Sequence, residues 1–300
     1  MRRTLAPLLV LAPLAARAQT RDSVAAPPAA VDCSESRAWN TPQRPFRLHG
    51  DTYYVGTRCL AVLLVASPQG HVLLDGALPE SAPLVRANVE ALGFRLADVK
   101  LILNSHAHYD HAGGIAALQQ ASGATVAAHP WSARVLEAGR SGADDPQHGV
   151  LSDFPATRAV RVLADGEVVR VGPLALTAHW TPGHTPGGTT WAWRSCEGAR
   201  CLDLVYADSQ TPVSADGFSF TRSTTYPQAL QDFARGHALL DRLRCDVLVT
   251  PHPEASRLWE RLEGARDAGA PTLVDGGACR RYAATARERL ARRVAEEGRR

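Results

Sequence analysis

An α/β fold with two β-sheets covered by helices is what this sequence predicts, on three observations. Apolar runs of strand length fall into two groups along the chain, helical stripes lie between and after them, and no Pro/Gly/Ser-rich linker divides the second group from the first. With 300 residues, 45% of them hydrophobic and 21% charged, the chain is long enough to bury a sizeable core, which excludes disorder and a simple coiled coil.

The elements follow in order. Met1-Arg2-Arg3, the apolar run Leu5 to Ala15 and Ala16-Arg17-Ala18 read as a secretory leader over residues 1–18; Pro7 and Pro13 and its short length argue against a membrane anchor. Residues 19–32, with adjacent prolines, read as an extended tail, and residues 33–300 as a single domain. Strand patterns run Thr52 to Val55, Leu60 to Val65 and Val72 to Asp75, separated by Gly56 and Pro68-Gln69-Gly70. Ser81 as cap and Pro83 in the first turn open a helix whose face is Leu84, Val85, Val89 and Leu92, ended by Gly93. A buried strand Val99 to Leu103, a helix Ile115 to Gln120, a strand Thr125 to Ala128 and a helix Ser132 to Glu137 come next. Gly142 to Pro155 is a polar loop. The second strand group is Val160 to Leu163, Val168 to Val171, Leu174 to Trp180, Thr189 to Trp193 and Leu202 to Tyr206. A helix Pro227 to Leu243, a strand Val247 to Thr250 and a helix after Cys279 complete the pattern; the last helix carries Tyr282, Ala286, Leu290 and Val294 as a docking stripe.

Once Arg2, Arg3 and Arg17 leave with the leader, 30 basic residues balance 30 acidic ones. Bulk charge therefore gives no support for a nucleic-acid partner, and no mature segment is long and apolar enough for a membrane helix. The expected partner is a small molecule and the expected state a soluble monomer in the periplasm. Six cysteines in an exported chain point to disulfides, and no Cys-x-x-Cys competes for metal. Cys196 and Cys201 flank a short turn and close easily; nearest pairing of the others joins Cys33 to Cys59 and Cys245 to Cys279.

Chemistry concentrates in Asn104-Ser105-His106-Ala107-His108-Tyr109-Asp110-His111-Ala112-Gly113-Gly114. His106 and His108 project to one side of an extended backbone, while Asp110 and His111 fall where the chain turns into a helix, so one ion does not readily take all four. The pattern predicts a two-metal centre at the end of a strand, completed by His184 in Thr181-Pro182-Gly183-His184 and His252 in Thr250-Pro251-His252-Pro253. His106, His108 and His184 are assigned to one ion, and Asp110, His111 and His252 to the other. Nitrogen-rich ligation with open positions suits two Zn2+ ions, with iron and manganese as alternatives. Asp75, at a strand end, reads either as a support for the metal loop or as an ordinary turn carboxylate.

These residues resemble the metallo-β-lactamase superfamily, whose His-x-His-x-Asp-His motif is matched by His106, His108, Asp110 and His111. The resemblance implies an αββα sandwich with the metals at one edge of the sheets. It extends to subclass B3: Asp208-Ser209 stands at a strand end with no cysteine ligand, and Cys245 and Cys279 match a late disulfide of the subclass. By the same resemblance Ser209 and Thr211 bind water or the substrate carboxylate, while Gln147 and Trp39 border the groove. The implied activity is hydrolysis of the β-lactam amide, with Asp110 orienting the attacking water. Departures are Asp75-Gly76-Ala77 for Asp-Gly-Gly, and Gln210, where leucine is common, as a change to the groove. The rival enzymes are a thioesterase, lactonase or phosphodiesterase of the superfamily, in which Asp208 would face the metals. The non-enzyme rival is a metal-binding protein without turnover.

Overall fold

A computed structural model describes residues 31–267 and 273–299. The leader, residues 1–18, and the tail up to residue 30 lie outside the described residues. The first sheet has seven strands in chain order: β1 (Phe46–His49), β2 (Thr52–Tyr54), β3 (Leu63–Val65), β4 (His71–Leu74), β5 (Val99–Leu103), β6 (Thr125–Ala128) and β7 (Arg161–Val162). Pairing is antiparallel from β1 to β4 and parallel from β4 to β7. The parallel crossovers carry α1 (Ala82–Ala91), α2 (Tyr109–Ala112), α3 (Ile115–Ser122) and α4 (Pro130–Ala138). The second sheet holds β8 (Val168–Val171), β9 (Leu174–Trp180), β10 (Thr189–Glu197), β11 (Arg200–Tyr206) and β12 (Val247–Val249), in the order β12-β11-β10-β9-β8. The last helices are α5 (Ala229–Arg242), α6 (Leu258–Asp267) and α7 (Ala278–Glu297).

Alternation along the strands makes the layers. Leu64, Leu73, Ile102 and Val126 meet Val85, Val89, Ile115 and Leu118 of the helices on the outer face. Their neighbours Leu63, Val65, Leu74 and Leu103 face inward onto Leu176, Trp191, Leu204 and Tyr206 of the second sheet. Beyond that sheet Val205 and Leu248 pack on Leu240, Tyr282 and Ala283. Four layers result, helix, sheet, sheet, helix: the αββα sandwich. Strands buried on both faces are why their sequences read as continuous apolar runs.

Several boundaries differ from expectation. The run Leu60 to Val65 pairs only from Leu63, because Thr57 to Ala61 turns back: Thr57 N donates to Leu60 O at 2.9 Å and Ala61 N to Pro251 O at 2.8 Å. β10 and β11 extend beyond the expected ends to a facing Cys196 and Cys201 pair, and the disulfides Cys33–Cys59, Cys196–Cys201 and Cys245–Cys279 are all formed. Ser81 precedes α1 but its side chain does not cap it; the hydroxyl donates to Asn40 Oδ1 at 2.7 Å. Three of the numbered elements are absent from the sequence reading: β1, the short α2 and α6. In helix α6 Leu258 and Trp259 at its start join the core between the sheets and Leu262 packs against it, with charged residues between them.

Candidate metal centre

The motif loop leaves β5 at the sheet edge and is held from below. Asp75, with φ of 64° at the end of β4, is fully buried and accepts from Ser105 N at 2.7 Å, Ser105 Oγ at 2.6 Å, Asn104 Nδ2 at 3.1 Å and Tyr206 Oη at 2.8 Å. It supports the loop, so its ordinary-turn reading is set aside. Trp191 Nε1 adds a bond from the second sheet to Asn104 O at 3.1 Å. Gly114 is required by close approach, since a Cβ there would stand 2.2 Å from Gly76 O. Gly183, at φ of 142°, sets the turn that delivers His184.

The structure brings the six predicted residues into two triads. In the first, the His106, His108 and His184 ring centroids are 4.8 to 5.0 Å apart. Each ring has one nitrogen fixed from behind: His106 Nδ1 on Asp208 Oδ1 at 2.7 Å, His108 Nε2 on Asp145 Oδ2 at 3.0 Å, and His184 Nδ1 donating to Thr211 O at 2.8 Å. These acceptors leave His106 Nε2, His108 Nδ1 and His184 Nε2 with free lone pairs, within 4.8 Å of one another. Burial pushes the His184 imidazole down to about 3, with His108 adding to the effect, and burial together with His111 holds His106 well below its usual range. Neutral imidazoles are the form that binds a metal.

In the second triad, Asp110 Oδ2 is 3.2 Å from His111 Nε2 and 3.1 Å from His252 Nε2, and the two nitrogens are 3.2 Å apart. Tetrahedral zinc with bonds of about 2.0–2.1 Å has ligand edges of about 3.3–3.4 Å, so these atoms already stand close to that spacing. Burial acts to raise the Asp110 carboxyl, but the His111 and His252 imidazoles override it and hold it well below the carboxylate range. The donor set fits divalent metal. His106 and His111 rings, 4.5 Å apart, join the triads.

Of the expected substrate contacts, Gln147 lies in the site, its Nε2 3.4 Å from both His108 Nδ1 and His184 Nε2. Trp39 stacks edge-on against His252 at 5.4 Å and near Tyr109 at 6.0 Å, with Nε1 on Cys33 O at 2.9 Å. Thr211 serves through its carbonyl on His184. Ser209 is buried beside Asp208, and its hydroxyl makes no hydrogen bond to either triad among the described residues. Asp208 lies behind His106, which removes it from the metal-facing position of the rival enzymes. Gln210 is fully buried and donates to Thr181 O at 3.1 Å, so it braces the His184 turn and does not enter the groove. Asp145 was missed by sequence reasoning: nothing local separates it from Asp144, which receives Trp131 Nε1 at 2.7 Å.

An αββα sandwich with paired histidine and carboxylate triads at one sheet edge is the frame of a metal-dependent hydrolase. The chain belongs to the metallo-beta-lactamase superfamily, whose family model matches residues 55–262. It is similar to the solved structure of Rm3 metallo-beta-lactamase, at 55% identity over 87% of this chain and 97% of that one, with a TM-score of 0.85. It is also similar to MEM-A1, a subclass B3 metallo-beta-lactamase from a soil metagenome library, at 48% identity over 87% and 98% of the two chains and a TM-score of 0.85. A hydroxyacylglutathione hydrolase of Rhodopseudomonas palustris is 37% identical over 215 residues, 65% of this chain and 69% of the relative.

Proposed function

We propose that this protein hydrolyses the amide bond of β-lactam antibiotics as a subclass B3 enzyme with two zinc ions. One ion is held by His106, His108 and His184, the other by Asp110, His111 and His252. The observation that carries the reading is the pair of triads whose free lone pairs converge beside Gln147 and Trp39. Zinc in such a site polarises a carbonyl and lowers the pKa of water to about 7. The chain's own residues do the rest. Asp208, Asp145 and the Thr211 carbonyl keep three ring protons away from the reaction face, and Asp110, kept ionised, orients the attacking water. Ser209 and the Thr211 hydroxyl receive the substrate carboxylate, while Gln147 and Trp39 border its rings. Export to the periplasm as a monomer, with residues 1–18 removed, completes the reading and places the enzyme where a β-lactam passes.

The test is hydrolysis of a chromogenic cephalosporin and a carbapenem by the mature protein, with chelator and with zinc restored. Turnover that a chelator stops and zinc returns is expected, with about two zinc ions per chain. Intact drugs in the presence of bound zinc would overturn the reading. The likeness to hydroxyacylglutathione hydrolases makes acylglutathiones the comparison substrates, and the expected result is that they are poor ones.

A further inference from the structure

The segment after Thr211 is pinned from a distant part of the chain. Glu297, in the last turn of α7, is 5% exposed. Its Oε2 accepts from Ser219 Oγ at 2.7 Å, Thr221 N at 2.9 Å and Thr221 Oγ1 at 2.8 Å; its Oε1 accepts from Phe220 N at 3.0 Å and Arg293 Nε at 2.8 Å. Arg293 also donates from Nη2 to Ser214 Oγ at 2.7 Å and Phe218 O at 3.1 Å, and lies over the Phe220 ring. Burial acts to raise the Glu297 carboxyl, but Arg293, Ser219 and Thr221 hold it down at about 2. A carboxylate at a helix C-terminus opposes the helix dipole, so this one is retained against local preference by its tertiary bonds.

The pinned segment reaches the metal centre at two places. Thr211 O receives His184 Nδ1, and Ala215 N donates to Pro146 O at 2.9 Å, between Asp145 behind His108 and Gln147 in front of it. The two joined segments also carry exposed apolar side chains, Val213 at 50% and Val150 at 64%. We infer that Glu297 and Arg293 form a positioning clamp that fixes residues 211–222 as one wall of the groove and sets its fit to the apolar substituents of β-lactams. The substrate part of this inference rests on the proposed function; the clamp itself does not.

The experiment compares the mature zinc-loaded protein with Glu297→Ala and with the double variant Ser219→Ala/Thr221→Val, which loosens the same contact and leaves α7 untouched. Removing charge-assisted hydrogen bonds should speed amide exchange over residues 211–222 by about tenfold or more, while β5 and β10 keep their protection. Zinc content should stay unchanged, and KM for a cephalosporin with a bulky side chain should rise several-fold with kcat within about twofold. Unchanged exchange over 211–222, a uniform rise over the whole chain, or a loosened segment with unaltered KM would overturn the inference. Failure of the parent protein to open any β-lactam would overturn the proposed function instead, with exchange still deciding the clamp.

Discussion

The two triads differ in what stands behind them. Every histidine of the first has its second nitrogen on a protein acceptor: the buried Asp208 and Asp145 carboxylates or the Thr211 carbonyl. The second lacks this support. His111 Nδ1 is buried without a partner, and the His252 side chain is 30% exposed, resting against Trp39. Fixed tautomers and ring orientations raise ligand basicity and cost little reorganisation on binding. The first triad is therefore the one whose rings are preformed in orientation, and the second, although its three atoms already stand near zinc spacing, is unbacked, with a ligand open to solvent and substrate.

Direct loss of a ligand breaks this contrast most. His184→Ala and His252→Ala should each abolish turnover, with different metal counts by elemental analysis. His252→Ala is expected to retain the first ion, whereas His184→Ala weakens the preformed site itself. Equal metal loss in both variants would remove the distinction between the triads. Chelator titration sharpens it without substitution: two phases are expected, the more labile ion leaving from Asp110, His111 and His252. A single phase would show the two sites to be of equal strength.

Smaller effects follow from the backing groups. Asp145→Ala frees His108 Nε2 and the Gln147 amide that Asp145 Oδ1 accepts at 2.8 Å, so affinity at the first site should fall about 10–100-fold. Asp145→Asn, which keeps an acceptor, should recover part of that loss in the same zinc competition assay. Asp110→Asn, by contrast, should act at the second site.

How much of this was legible follows from sequence distance. His106, His108, Asp110 and His111 share six residues, and a strand followed by a helix fixes how they diverge, so two sites were readable from spacing. His184 and His252 were readable because proline marks each turn, joined by glycine in the first. Asp145 and Asp208 were not, because each acts only where its segment meets the motif loop, 37 and 102 residues away in sequence from its histidine. Gln210 was placed in the groove by the resemblance, and its true partner, the Thr181 carbonyl, comes from a turn 29 residues away in sequence. Strand β1 and helix α6 failed on pattern, their apolar positions being too few to mark a period.

The smallest expected effect concerns protons. Burial, with Arg134 adding to it, holds His129 down to about 4, and burial brings His184 to about 3 with His108 reinforcing it. Both stay neutral in the fold at pH values where the unfolded chain, with histidine near 6.5, takes up protons. The unfolded state binds more protons in that window, so stability rises with pH there and is lost as pH falls below 6.5 toward 4. Between pH 7 and pH 5 His184 is neutral in the fold with or without zinc, so both forms are expected to lose stability in parallel, by about 2 kcal/mol for each of the two histidines, measured by urea unfolding at each pH. A metal-free form that loses no stability over that range would mean that burial does not keep these imidazoles neutral, and His184 would not be held ready for a metal.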